Sequence, residues 1–426
     1  MTQYVVPLSD PAAADPERFG PKAANQAGLG HAGLPIPDGF CLDAAAYRAQ
    51  IESLGLGEAA HKAVTLDFME SRQYLSQVRV ALFEQPIAQE IREPLVAAYS
   101  ALVGRTGAPV AVRSSSIMED RAGTSFAGQF QSYLGIGNEA DFLTTVRACW
   151  GALWSSRAMR YMEGQNLKPN DTAMGVLVQT LVDARASGGG MSQTANGGMS
   201  ISATWGLGEA IAQGEVVPDR YDLSHDGELV ETTMGRKDHS VHCHRHGPSS
   251  RTVSREQAAE PCLDGSQIRE LGRMMRRAEE MMGRPVEIEW AMDDAGLYML
   301  QARPLQTEPA QVPDAIWLRH PGVRGHPGGI GWGAGRACVI NCECELGRVG
   351  PGDVLVTRVA GPALAQVLPR VSGVVAELGG STSHLASLAR ERGIPMVLGV
   401  LDATHKIPDG AQVGVDGVAG IVRWIS

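Results

Sequence analysis

The strongest constraint on this chain lies near its end, at Gly379-Gly380-Ser381-Thr382-Ser383-His384, followed by Leu385-Ala386-Ser387-Leu388-Ala389-Arg390-Glu391-Arg392-Gly393-Ile394-Pro395. Two glycines and three hydroxyl residues lead a histidine into a short helix, and apolar runs at Gly373–Ala376 and Pro395–Val400 flank it as strand markers. Ser381 or Thr382 is expected to cap the helix by accepting from its first free N–H groups. Leu385, Leu388 and Ala389 give it an apolar side. Gly393 suits the left-handed residue just past the end, and Pro395 prevents continuation. His384 therefore falls in or beside the first turn, where unpaired N–H donors and the positive dipole end favour an anion. Such a position is expected to lower the histidine pKa and keep it neutral near pH 7, as a nucleophile requires. An isolated histidine at a helix start more often has a structural role, so the surrounding residues must decide.

A chain of 426 residues has room for two or three domains with ample core. Its formal charge of −10 argues against a broad nucleic-acid surface but leaves room for a local basic nucleotide pocket. No run approaches the length of a membrane span, and Met1–Pro7 lacks a secretory signal. The seven cysteines are odd in number and scattered, which suits a reducing cytoplasm. The expectation is a cytoplasmic protein with neither nucleic-acid nor membrane partners.

Several stretches could carry chemistry. Gly20-Pro21-Lys22 opens a helix, although a lysine beside a glycine is ordinarily a solvated surface residue. Pro109–Val112 is a short apolar strand that delivers Arg113 into Ser114-Ser115-Ser116, a plausible phosphate cradle because guanidinium binds phosphate oxygens in pairs. Val176–Val182 reads as a buried strand, and three glycines at 188–190 make the next segment pliant. Glu209 stands in a glycine-rich turn. His242, His244 and His246 would share one face of a strand, a metal-like spacing, but no second ligand pair follows and a polar hairpin face is the favoured reading. Ser266–Met282 is an amphipathic helix through Ile268, Leu271, Met275, Ala278 and Met282, with the methionines as core filler.

Val286–Met292 and Leu297–Pro304 read as a hairpin. Glu287 and Glu289 point to one face, where two carboxylates repel unless a cation lies between them. Magnesium, a hard cation that prefers oxygen, is the natural partner. Gln301 and Arg303 also share a face. An odd connection such as Asp293-Asp294-Ala295 would bring all four side chains together.

Taken together, these residues resemble the phosphoenolpyruvate-utilising enzymes: phosphoenolpyruvate synthase, pyruvate phosphate dikinase and rifampicin phosphotransferase. The phosphohistidine pattern G-G-x-T-S-H, then A, A-R and G-I-P, matches at Gly379, Gly380, Thr382, Ser383, His384, Ala386, Ala389, Arg390, Gly393, Ile394 and Pro395. Matches also occur around Lys22, at Val110–Ser116 with Glu119-Asp120, at Ser125–Gln129, at Gly206–Glu209, and at Glu287–Ala291 with Leu300–Pro304. Departures are Gln26 for the usual leucine, Arg121 for leucine, Gly188-Gly189-Gly190 within S-G-V-x-F-T, and Glu287 where many relatives have Asp.

The resemblance implies an α/β (α+β) chain. Residues 1–306 form an ATP-grasp domain, 307–315 a linker and 316–426 a swivelling β/β/α phosphohistidine domain, in a two-domain form lacking the pyruvate-binding barrel. It assigns His384, Arg113 and Thr382 to catalysis. Lys22, Arg113, Gln179, Leu181, Glu209, Gln301 and Arg303 are assigned to ATP, and Glu287, Glu289 and Gln301 to magnesium. The implied activity moves the β-phosphate of ATP through phospho-His384 to a small-molecule acceptor, releasing AMP and phosphate. Three alternatives stay open: a subunit whose acceptor domain is a separate protein partner, a non-catalytic regulatory homologue, and a direct kinase that releases ADP.

Overall fold

The computed structural model describes residues 3–66, 68–119, 130, 132–164, 167, 172–194, 197–244, 247–305, 317, 320 and 322–425. The expected linker at 307–315, the segment 120–129 and His246 lie outside the described residues. The chain forms two compact units. The first comprises Met1–Val182, Cys243–Ser249 and Tyr298–Arg303, and the second Asp183–His242, Ser250–Leu297 and Pro304–Ser426.

The first unit is built on a five-stranded sheet. Its strands are β1 (Val5–Pro7), β2 (Gly39–Leu42), β3 (Val110–Ser116), β4 (Ser132–Ile136) and β5 (Met174–Thr180), in the order β1-β2-β5-β3-β4. β3 and β5 pair antiparallel, with Arg113 opposite Leu177 and Ala111 opposite Gln179. Opposed residues share a face, so Arg113 and Gln179 lie on the face that carries Leu177. Leu177 packs in a buried cluster with Phe19, Ala23, Ala27 and Cys41, which places helix α1 (Pro21–His31) over that face. Gly20 enters α1 at φ 78°, and a Cβ there would lie 2.4 Å from Ser115 Oγ. Only glycine permits both that backbone and that approach.

The second unit holds two sheets. In the first, β6 (Ala186–Met191), β7 (Met199–Trp205), β8 (Asp219–Leu223), β9 (Leu229–Thr233) and β12 (Val286–Met292) run in the order β12-β6-β7-β8-β9. Strands β10 (His239–His244) and β11 (Gly247–Thr252) form a separate ribbon. Helix α2 (Gly265–Met282) starts with a reciprocal cap between Asp264 and Gln267 and buries Ile268, Leu271, Met275 and Ala278, as its pattern predicts. Strand β13 (Leu297–Pro304) lies mostly in the first unit.

The other sheet of this unit contains β14 (Gly322–Arg324), β15 (His326–Pro327), β16 (Trp332–Ile340), β17 (Val354–Thr357), β18 (Gly373–Ala376), β19 (Met396–Leu398), β20 (Gln412–Asp416) and β21 (Ile421–Ile425). Their order is β14-β21-β20-β16-β17-β18-β19-β15. The ladders β16–β17, β17–β18 and β18–β19 are parallel, and the runs of β17, β18 and β19 are buried at every residue. Parallel strands covered on both faces need such runs. The core joins Val339, Val354, Val356, Val375, Val397, Val413 and Val415. Helix α3 (His384–Glu391) is the crossover between parallel β18 and β19, so it begins beyond the carboxyl end of β18, the end where such sheets bind ligands.

Cys342 and Cys344, both exposed, are joined as a disulfide; two residues apart in a short turn, their Cα atoms lie 5.3 Å from each other, within bonding reach. Cys41, Cys149, Cys262 and Cys338 are buried thiols. Among the described residues no helix is long and apolar enough to cross a membrane.

Candidate active site

In the first unit, three elements converge. Lys22 on α1 reaches Ser114 O at 3.1 Å and Glu119 Oε1 at 2.9 Å. Arg113, the neighbour of Ser114 on β3, donates from Nη1 to Leu300 O at 3.4 Å. Asn25 Nδ2 donates to Ala302 O at 3.2 Å, and Gln26 Nε2 to Met299 O at 2.8 Å. These bonds tie β13, with Gln301 and Arg303, to α1 and β3. Lys22, Arg113, Gln301 and Arg303 therefore lie on adjoining elements. Gln26 explains its own departure from leucine: it is fully buried, and a leucine could not donate to the Met299 carbonyl. Sequence reasoning recorded the change but missed the tether.

Gln179 is 3% exposed, and its Nε2 has no hydrogen-bond partner among the described residues. A buried amide without an acceptor costs about 1–3 kcal/mol, so this face of β5 is suited to a ligand that supplies one. Leu181, just past β5, is half-buried, and its N–H donates to Pro109 O.

In the second unit, His384 is exposed at the first position of α3. Ser383, not Ser381 or Thr382, is the cap: its backbone is extended and its Oγ accepts from Ala386 N at 3.2 Å. The loop is held from both sides, because Gly379 N donates to Val216 O and Ser383 N to Gly380 O. Arg390 Nη1 donates back to Ser381 O at 2.6 Å. Gly393 takes φ 65° past the helix end, as predicted.

Strand β12 pairs with β6 so that Glu287 faces Met191 and Glu289 faces Gly189. The two carboxylates share a face, as their spacing predicts, and Thr382 stands over it, since a Cβ at Gly189 would lie 2.4 Å from Thr382 Cγ2. The opposite face packs on α2, since a Cβ at Gly190 would meet Met275 Sδ at 2.6 Å. Glu287 is 5% exposed and pairs with Arg390 at 2.7 Å. The arginine was legible only as a motif letter.

The hairpin differs from expectation. Four residues, Asp293–Gly296, separate the strands. Asp293 N donates to Gly296 O at 3.1 Å, and the Asp293 carboxylate accepts from Ala295 N and Gly296 N. This aspartate-closed turn is even in length, which removes the odd-loop argument for bringing Gln301 beside Glu289. Glu209 is half-buried at the start of the short helix Glu209–Ala212. His242 and His244 are two residues apart on β10, and His242 Nε2 lies 2.9 Å from Ser240 Oγ.

Among the described residues no group of three or more His, Cys, Asp or Glu is placed to hold a metal ion. With Glu287 engaged by Arg390, this arrangement does not fit magnesium at Glu287.

Residues 16–318 match the family described as "Pyruvate phosphate dikinase, AMP/ATP-binding domain", and residues 349–420 match "PEP-utilising enzyme, mobile domain". The chain belongs to the pyruvate phosphate dikinase and phosphoenolpyruvate synthase family. Its architecture is thus an ATP-grasp nucleotide domain followed by a PEP-utilising domain. Similar proteins of this family include the "Probable phosphoenolpyruvate synthase" of Methanothermobacter thermautotrophicus, 33% identical over 99% of this chain and 64% of that protein. The phosphoenolpyruvate synthase of Pyrococcus furiosus is 32% identical over 95% of this chain and 56% of its own length. The chain thus spans less than two thirds of these relatives. Among solved structures, the D-alanine-D-alanine ligase of Coxiella burnetii covers 66% of this chain and 46% of its own at 9% identity, with a TM-score of 0.26, too slight a likeness to carry an argument.

Proposed function

We propose that this chain is a dikinase-type phosphotransferase in which His384 accepts the β-phosphate of ATP and passes it to a small-molecule acceptor. One observation carries the reading. His384 is exposed at the first position of a capped helix beyond the carboxyl end of a parallel strand, on a chain whose family also supplies an ATP-binding domain. A helix start offers unpaired N–H groups to a phosphoryl group.

A neutral imidazole nitrogen of His384 attacks the β-phosphorus, an N–P bond forms, and the bond from the β-phosphorus to the bridging oxygen of AMP breaks. AMP departs. Water then attacks the γ-phosphorus and releases inorganic phosphate, leaving phosphohistidine. An acceptor oxygen takes that phosphoryl group and returns the imidazole.

In this reading Lys22, Arg113, Gln301 and Arg303 bind and orient the polyphosphate, and their charge offsets that of the transferring group. Gln179 and Leu181 line the adenine site, where the unpartnered amide of Gln179 would meet a ring acceptor. Glu209 contacts the ribose, and Thr382 orients the phosphoryl group beside His384.

The test uses ATP labelled separately at the β and γ positions, with His384→Ala alongside. Acid-labile β-label on the wild type, release of AMP and no label on the variant are expected. Release of ADP alone would indicate a direct kinase, and absence of both labelling and turnover would indicate a binding module. Turnover that appears only when a second protein is added would assign the acceptor site to that partner.

A further inference from the structure

The carboxylate expected at a metal is instead paired with an arginine of the phosphohistidine helix. Arg390 and Glu287 are both nearly buried, each side chain 6% exposed. Burying two charges is costly unless every donor and lone pair is answered. Here Arg390 donates to Glu287 Oε2 at 2.7 Å, Ser381 O at 2.6 Å, Gly328 O at 3.3 Å and Ser387 Oγ at 3.3 Å. One guanidinium thus joins β12, the loop before His384, and α3 itself.

The surface beneath the loop is shaped to receive it. At Gly189 any side chain would collide with Thr382, at 2.4 Å to Cγ2, 2.6 Å to Cβ and 2.7 Å to Oγ1. At Gly380 a Cβ would lie 2.7 Å from Pro218 Cγ. A glycine on each side lets the two backbones approach as no other residue would. The three-glycine run, a departure from the family pattern, thereby acquires a specific use at its middle residue.

We propose that Gly189 and Glu287 form a seat for the phosphohistidine loop and that Arg390 is the positioning residue that locks it there. While the loop is seated, Glu287 is the partner of arginine and not a magnesium ligand. The relevance to catalysis rests on the reading of His384 as phosphoryl carrier. The exclusion follows from the arginine's position: its Nη2, already 2.7 Å from Glu287 Oε2, leaves a divalent cation to compete with a like charge. Glu287 thus serves the seat of the loop and not a magnesium site.

The test measures hydrogen exchange of the segment 379–391 in the intact chain, for the wild type, Glu287→Gln, Arg390→Gln, the double variant and Gly189→Ala. Exchange should rise about tenfold or more in each single variant, with the double variant within about twofold of the worse single, as for residues acting on one interaction. Gly189→Ala should loosen the same segment with both charges intact. Unchanged exchange in β17 and β20 verifies that the sheet remains folded, and Arg390→Lys, which keeps the charge but loses the fork, should fall between wild type and Arg390→Gln. The magnesium concentration that half-saturates ATP binding should move less than about twofold in Glu287→Gln, whereas a metal ligand would raise it by about tenfold or more. Independent effects in the double variant, a loop still protected in Gly189→Ala, or a raised magnesium requirement would overturn the proposal. None of these measurements needs phosphoryl transfer, so an unlabelled His384 would refute the proposed function and leave the seat standing.

Discussion

His326 offers the sharpest test of how the C-terminal sheet responds to acid. It lies on β15 opposite Leu398 and is 4% exposed, and a Cβ at Gly399 would lie 2.6 Å from its Cδ2. Its Nδ1 has no hydrogen-bond partner among the described residues. Burial, aided by the nearby charge of Arg220 and opposed by Asp222 and Asp219, pushes its pKa from 6.5 down to about 4. The folded protein therefore holds the ring neutral to about pH 4, while the unfolded chain takes up a proton near pH 6.5. Stability from this group is full above pH 6.5 and is lost as pH falls through about 4. At about 1.36 kcal/mol per pH unit, the whole interval amounts to about 3 kcal/mol, and roughly 2 kcal/mol of it is gone at pH 5.

The perturbation is His326→Gln, which cannot take up the proton. Urea unfolding would be followed through protection of the β20 amides at about pH 7.5 and pH 5, a window that spans the onset of the loss. The variant will lose packing at both pH values, so the readout is the difference between them. Wild type should lose about 2 kcal/mol more than the variant on acidification. Equal losses would show that His326 is not held neutral and would refute the reasoning.

Three further outcomes are expected. Lys237→Met should destabilise the second unit by about 3–5 kcal/mol in urea unfolding, because fully buried Asp219 would keep its charge without its cation; the Gly235 and Cys262 amides and the Tyr221 hydroxyl that also bond Asp219 cannot neutralise it. Gln26→Leu should weaken the tether of β13 and raise exchange at Met299–Gln301 by about tenfold, whereas a loss spread evenly over the unit would rule out a local tether. Native thiol titration should count two more reactive groups after mild reduction than before, and Cys342→Ser should abolish that increment, since the pair is exposed while four other cysteines are buried.

The sequence by itself determined what depends on short-range spacing. The helix after His384, its glycine stop, the shared face of Glu287 and Glu289, the buried face of α2 and the strand carrying Arg113 all follow from local periodicity and turn chemistry, which operate within a few residues. The family match could be read from the same local motifs. The cap was misplaced by one or two residues because three consecutive hydroxyls are equivalent in sequence; Ser381, whose carbonyl is taken by Arg390, could be told from Ser383 only once the loop was folded. The hairpin connection was misjudged because whether Asp293 closes its own turn depends on backbone geometry. Only the tertiary structure decided the long-range pairings: Gln26 with the carbonyl of Met299, Thr382 over Gly189, and Arg390 with Glu287 across 103 positions of the chain. Local pattern carries no term for such distances. A buried charge is satisfied by whichever partner the packed fold brings within about 3 Å, and for Glu287 that partner is an arginine of the phosphohistidine helix.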